Sequence, residues 1–175
     1  SILTADTGVK HALGDGEYRK RRESCESAMK ILKIDSFRGL SLADLEAGKE
    51  ALGDLLFRRA HHAVTEMARV QDFASALKSG DVSSLGRLMR ESHESLRHDF
   101  EVSCLELDGL VDAAYAFGAD RGLVGSRMTG GGFGGSTVSL VAAESADSLK
   151  NHLEKFYREK FARELNCFVT SAVDG

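Results

Sequence analysis

Residues 130 to 135 read Gly-Gly-Gly-Phe-Gly-Gly, the strongest pointer to chemistry in this 175-residue chain. Glycine lets the backbone take positive φ and lets a ligand approach the main chain with no Cβ in the way. Successive amides in such a run can turn inward and form an anion-binding concavity. Gly130, Gly131, Gly132, Phe133, Gly134 and Gly135 therefore point to a bulky or phosphorylated ligand lying against this backbone. A side chain at Gly132 is expected to obstruct that ligand more than it disturbs folding. The alternative is a flexible hairpin loop that holds nothing, against the general bias of loops toward function. Tyr18 follows a turn carrying Gly14 and Gly16. Its phenol both donates and accepts, which suits a sugar hydroxyl. The other reading is a core tyrosine with a buried hydrogen-bond partner.

Gly130, Gly132 and Gly135 match G-x-G-x-x-G, but a dinucleotide-binding turn must open a helix. Residues 137–142, Thr-Val-Ser-Leu-Val-Ala, are β-branched and alternating and read as a strand. Residues 123–129 also read as extended, so the glycines join two strands. A protein-kinase glycine loop does the same, but its V-A-I-K, H-R-D and D-F-G partners are absent from the sequence. Arg127 flanks the loop, where it suits either a phosphate or a structural ion pair.

The histidines and cysteines offer less. His61 and His62 are adjacent on a helical pattern, so their rings diverge by about 100° and cannot chelate one ion together. His93 and His98 are five apart, not the i, i+4 spacing of paired ligands. The nearby carboxylates Glu91, Glu94, Asp99 and Glu101 read as a solvated helix face and its exit. Cys25, Cys104 and Cys167 are sparse and have no C-x-x-C spacing, as expected of reduced thiols in a cytoplasmic protein.

The elements that must position these groups follow from periodicity. Residues 2–6 read as a strand, 8–16 as a loop and 17–32 as a helix. Ser41-Leu42-Ala43-Asp44 has the form of a capping box. Leu56, Ala60, Ala63, Met67, Val70, Ala74 and Leu77 recur at alternating spacings of four and three, predicting a helix that buries that stripe. Gly80 ends it and Asp81 caps the next, whose Leu85, Leu88 and Leu96 point inward. Leu107, Leu110, Val111 and Ala114 mark another helix. After the two strands around the glycines, Leu149, Leu153, Phe156, Tyr157 and Phe161 mark a further helix, and residues 167–173 read as a closing strand. Helices segregated from about four strands give an α+β layered domain.

The formal net charge of −4 and a pI near 5.9 argue against a nucleic-acid partner. The basic run Arg19-Lys20-Arg21-Arg22 sits among Glu17, Glu23 and Glu26 and reads as a solvated helical face with local ion pairs. No apolar run approaches the roughly 20 residues that span a bilayer, so no membrane partner is expected.

The motif R-M-T-G-G-G-F-G-G, followed by a small residue, Thr and Val, resembles a conserved motif of galactokinases, members of the GHMP small-molecule kinase superfamily. Residues 9–18, V-K-H-A-L-G-D-G-E-Y, with Arg21, Arg22 and Cys25, resemble a second galactokinase segment. Residues 59–66, 91–97 and 99–104 resemble that family's middle helices, so the likeness spans nearly the whole chain. It implies a ferredoxin-like antiparallel sheet with additional helices. It also implies that residues 1–175 are one C-terminal domain, because the family's G-E-H-x-D-Y and G-L-S-S-S-A segments are missing.

By that resemblance the intact protein transfers the γ-phosphate of ATP, with magnesium, to the anomeric hydroxyl of galactose. Tyr18 would contact the sugar and the glycine loop would line the cleft beside the sugar and the terminal phosphates. The catalytic carboxylate and the metal ligands would lie in the missing half, leaving this chain inactive alone and prone to self-associate through its exposed interdomain face. A kinase for a related sugar such as N-acetylgalactosamine, a non-catalytic sugar sensor and an independent ligand-binding module are the alternatives.

Overall fold

In a strand, successive side chains alternate between faces. In β1 (Ile2–Lys10), Leu3 and Ala5 are buried on one face, while Ile2 and Thr4 on the other are only half covered. The computed structural model describes residues 1–10 and 14–171. After β1 come α1 (Gly14–Leu32), α2 (Leu42–Ala47), α3 (Lys49–Ser79), α4 (Val82–His98) and α5 (Leu105–Phe117). The hairpin β2 (Leu123–Thr129) and β3 (Gly134–Val141) follows, then α6 (Ala146–Phe161) and β4 (Asn166–Thr170).

The four strands lie in the order β2-β3-β1-β4, each antiparallel to its neighbour. With α5 and α6 on one face, this is the ferredoxin-like arrangement, and α1 to α4 are the additional helices. The main core lies between that face and those two helices. Leu3, Ala5, Leu123 and Val141 pack against Leu110, Ala114, Leu149, Leu153 and Tyr157. Each such leucine contributes roughly 1.5–3 kcal/mol by leaving water. Tyr157 is fully buried and donates from its hydroxyl to the Thr7 carbonyl at 2.8 Å, which satisfies its polar end. A second core joins α1, α2 and α3 through Ala28, Leu45, Leu52, Phe57, Ala60 and Val64.

The expected caps form. Ser41 Oγ accepts from the Asp44 amide at 3.1 Å and Asp81 Oδ1 from the Ser84 amide at 3.0 Å, while Gly80 closes α3 at φ 69°. Three expectations change. β1 continues past residue 6 because a bulge at Gly8, with φ 64°, lets it pair again where Lys10 meets Gly134. α1 begins at Gly14, and α3 begins at Lys49 with a break in helical geometry at Gly53. The stripe on α3 is covered only in its first half. Met67, Val70 and Leu77 are exposed, because beyond residue 66 no element among the described residues covers that face. His11, Ala12 and Leu13 of the sequence motif, and Val173 of the expected closing strand, lie outside the described residues.

β2 is an edge strand, yet two of its outward amides are matched by side chains from helices. The Ser126 amide donates to Tyr115 Oη at 3.2 Å, and the Met128 amide donates to His93 Nδ1 at 3.3 Å. α5 and α4 thus supply at the edge what a fifth strand would otherwise supply. Among the described residues no helix is long and apolar enough to cross a membrane.

Candidate functional site

The glycine run sits at the turn of the β2–β3 hairpin, with residues 130–133 as the loop and Gly134 and Gly135 already in β3. Gly130, Gly132, Gly134 and Gly135 take φ of 83°, 85°, 114° and 86°, and Phe133 takes 56°. That geometry explains most of the glycines by conformation alone. Gly132 has a further reason. A Cβ there would overlap the Val102 carbonyl oxygen and lie 2.8 Å from Val102 Cβ. The constraint at Gly132 is therefore internal packing, which corrects the expectation that a side chain there would obstruct a ligand more than folding. Gly131 is different: its φ is not positive, and a Cβ on it would meet nothing within 4 Å. Among the described residues neither strain nor packing requires glycine at that position.

The loop rests on a small apolar base. Met128 and Val102 are buried beneath it with Leu96 and Leu107, and Phe133 packs against them. The Phe133 amide donates to the Val102 carbonyl at 2.7 Å, so this amide is already used and does not face a ligand. Val102 ends a tight turn in which Glu101 takes φ 53°. Three arginines hold the turn. Arg21 donates from Nε to the Phe100 carbonyl and from Nη2 to the Glu101 carbonyl, each at 2.6 Å. Arg59, only 3 % exposed, bonds the Asp99 carbonyl and the Glu101 carboxylate, which Arg58 also reaches at 3.1 Å. The Arg59 bond first, against the opposing effect of burial, and then the charges of Arg59, Arg58 and Arg21 hold the Glu101 carboxyl below its ordinary range. Asp99 and Glu101 are thus structural partners rather than parts of a solvated face.

Tyr18 lies on α1, 59 % exposed, which excludes the core reading. Three residues on, and so on the same side of the helix, the Arg21 guanidinium carbon stands 5.6 Å from the Phe133 ring centroid. The structure therefore brings α1 and the glycine loop together through Arg21. The remaining basic residues behave as expected of a solvated face: Lys20 pairs with Glu17 at 2.6 Å and Arg22 with Glu26 at 2.8 Å.

Beside the loop, an open cleft of about 780 Å³ runs along the uncovered sheet face. Ile2, Val138 and Leu140 form its floor and Val70, Phe73 and Leu77 of α3 one wall. Its polar end holds Arg127, Glu66, Arg69 and Ser92. Ser92 donates to Glu66 Oε2 at 2.7 Å, Arg69 bonds Oε1, and Arg127 Nη1 lies 3.7 Å from Oε2. Burial pushes the Glu66 carboxyl up, but Ser92, Arg69 and Arg127 outweigh it and hold it below the ordinary range. Burial also lowers the Arg127 guanidinium, with Glu66 opposing. Arg127 is in an ion pair at the cleft wall. Its partner on α3 was not identifiable from sequence, because nothing in the pattern brings residue 66 to residue 127.

The described histidines have internal partners. His93 is fully buried. Accepting at Nδ1 places its proton on Nε2, which lies 3.3 Å from Asp108 Oδ1. Burial raises the Asp108 carboxyl, and His93, Ser103 and Arg97 more than offset it. His61 Nδ1 lies 3.1 Å from Asp99 Oδ2, and His62 Nδ1 lies 3.0 Å from the Ser95 hydroxyl, which itself donates to Asp99. Burial pushes His62 down to about 4. Cys25, Cys104 and Cys167 are free thiols raised by burial, Cys167 to about 12. Among the described residues no group of three or more His, Cys, Asp or Glu could hold a metal ion.

Residues 73–159 match the family model described as GHMP kinases C terminal. Along all 175 residues the chain is 43% identical to a galactokinase of Bos taurus and 46% identical to one of Homo sapiens, in each case covering 43% of the relative. The crystal structure of Lactococcus lactis galactokinase complexed with galactose superposes with a TM-score of 0.89 at 32% identity, over 95% of this chain and 44% of that one. The chain thus spans less than half the length of the relatives it matches. Sheet order, flanking helices and a whole-length likeness agree: the chain is a GHMP kinase C-terminal domain.

Proposed function

We propose that this chain is the C-terminal part of a galactokinase, which transfers the γ-phosphate of ATP to the anomeric hydroxyl of galactose. The observation that carries this reading is identity of 43% and 46% to galactokinases across every residue of the chain. Phosphoryl transfer is catalysed chiefly by positioning and by electrostatic stabilisation. In this reading α1 presents Tyr18 to a sugar hydroxyl, and the loop from Gly130 to Gly135 forms one wall of the cleft beside sugar and phosphate. The open backbone at Gly131 supports such an approach, since no group among the described residues occupies that space.

The described residues offer no cluster of three or more His, Cys, Asp or Glu that could hold magnesium. Glu66, Asp99, Glu101 and Asp108 are each taken up by arginine, serine or histidine partners. The metal accompanying ATP and the catalytic carboxylate are assigned to the part of the protein outside residues 1–175. That part would also cover the apolar cleft floor at Ile2, Val138 and Leu140, which otherwise favours self-association. A cytosolic location accords with three unpaired thiols.

The test is a coupled ADP assay on the intact protein with MgATP and a panel of galactose, glucose and N-acetylgalactosamine. Galactose-dependent turnover is expected. Turnover with N-acetylgalactosamine alone would overturn the sugar assignment, and binding of galactose without turnover would make the protein a sensor.

A further inference from the structure

We propose that Arg21 is a positioning residue that couples the tyrosine-bearing helix to the glycine loop, so that the sugar side and the phosphate side of the cleft move as one unit. The inference rests on the galactokinase reading above. Arg21 belongs to the same face of α1 as Tyr18, one turn later. It is not spent on the helix surface as its neighbour Arg22 is. Only 11 % of its side chain is exposed, and it spans to two consecutive carbonyls, Phe100 and Glu101, at 2.6 Å each. The next residue in that turn, Val102, accepts the Phe133 amide at 2.7 Å. The Arg21 guanidinium also lies over the Phe133 ring, at 5.6 Å. Glu17, one turn earlier on α1, steadies the guanidinium from the other side, with Nη1 at 3.1 Å from Oε2.

The geometry requires the planar fork of arginine. Nε and Nη2 diverge at a fixed angle and reach two acceptors at once, whereas a lysine ammonium is a single point of charge and donation. The turn itself is strained at Glu101, with φ 53°, and such conformations persist only when neighbouring groups over-determine them. Arg59 and Arg58 hold the turn from α3, but Arg21 alone among these three arginines also touches Phe133. Loss of Arg21 therefore releases the loop from α1 while leaving the turn attached to α3.

The experiment uses the intact protein. In Arg21→Gln, kcat is expected to fall roughly ten- to a hundredfold, the scale that a misplacement of about 1 Å produces. KM for galactose rises severalfold and KM for ATP stays within twofold, because Tyr18 on α1 is no longer held in line with the loop. Deuterium exchange of the peptide containing Phe133 speeds up in the same variant. Arg21→Lys falls between wild type and Arg21→Gln in each readout, and carries the test by itself should Arg21→Gln fail to fold. Arg22→Gln, exposed one residue further on, matches wild type. A fall in kcat with both KM values unchanged would mean fewer folded molecules rather than misalignment and would overturn the proposal. Unchanged exchange at the loop would overturn it as well. If wild type phosphorylates no sugar, the galactokinase reading fails, and the exchange comparison alone decides whether Arg21 holds the loop.

Discussion

The carbonyl oxygen of Val102 accepts a hydrogen bond from the Phe133 amide at 2.7 Å. This long-range bond ties the hairpin turn to the segment between α4 and α5. The same oxygen fills the space where a Cβ on Gly132 would stand. A loop that reads as flexible from its composition is therefore anchored at its centre.

Two substitutions separate anchoring from ligand approach. Gly132→Ala forces backbone against backbone and leaves a positive φ that L-residues resist. It is expected to destabilise the protein by about 1–3 kcal/mol, seen as a lower thermal midpoint. Gly131→Ala meets open space and keeps the midpoint, within about 0.5 kcal/mol. In the intact protein it is nonetheless expected to lower galactose-dependent turnover, if substrate approaches this backbone. A wild-type rate for Gly131→Ala would remove the ligand from this loop.

Tyr18→Phe keeps the ring and removes the hydroxyl. The expected loss is about 0.5–1.5 kcal/mol, the net value of one neutral hydrogen bond, read as a rise in KM for galactose. ATP affinity is unchanged. Steady-state kinetics with each substrate varied in turn checks this, and equal losses for both would take Tyr18 away from the sugar.

His93→Leu leaves the Met128 amide buried without its acceptor. An orphaned buried donor costs about 1–3 kcal/mol, so a clear drop in unfolding free energy is expected. His93→Asn, whose side-chain oxygen can take the place of Nδ1, recovers part of it. Denaturant titration of the three proteins ranks them, and equal loss in Leu and Asn variants would argue that packing, not the hydrogen bond, sets the effect.

Acid stability should carry a signature of His62. In the folded protein its pKa is about 4, against 6.5 for the free side chain. Between these pH values the unfolded chain binds a proton that the folded protein does not, so stability rises with pH. The contribution is complete above about pH 6.5 and is lost as pH falls toward 4, amounting to at most about 3 kcal/mol. In His62→Gln the stability difference between pH 7 and pH 4.5 shrinks by a comparable amount. The low-pKa carboxylates Glu101 and Asp108 remain in both proteins and supply a common background.

Residues 1–175 expressed alone are expected to release no galactose-dependent ADP. Glu66, Asp99, Glu101 and Asp108 are engaged by internal partners, and among the described residues no group of three or more His, Cys, Asp or Glu could hold a metal ion. ADP release above a heat-inactivated control would relocate the catalytic machinery into this chain.

The sequence by itself determined the local structure. Alternation marked β3, caps at Ser41, Asp81 and Gly80 marked helix ends, and the glycine run had to join strands because β-branched residues follow it. Such signals are short in range: they depend on a residue and neighbours within a few positions. Tertiary structure decided everything that joins distant segments. The stripe on α3 states that one face is apolar, but not what covers it, and at Val70 and Leu77 no described element does. Arg21 and Arg22 look alike in sequence, yet one crosses to a turn 79 and 80 residues away and the other pairs with Glu26. The edge of β2 is closed by His93 and Tyr115 only because α4 and α5 pack beside it. Glycine at 132 and at 131 could not be told apart by composition. Which of them yields to the protein's own backbone depends on where Val102 arrives in space, and only the assembled fold places it there.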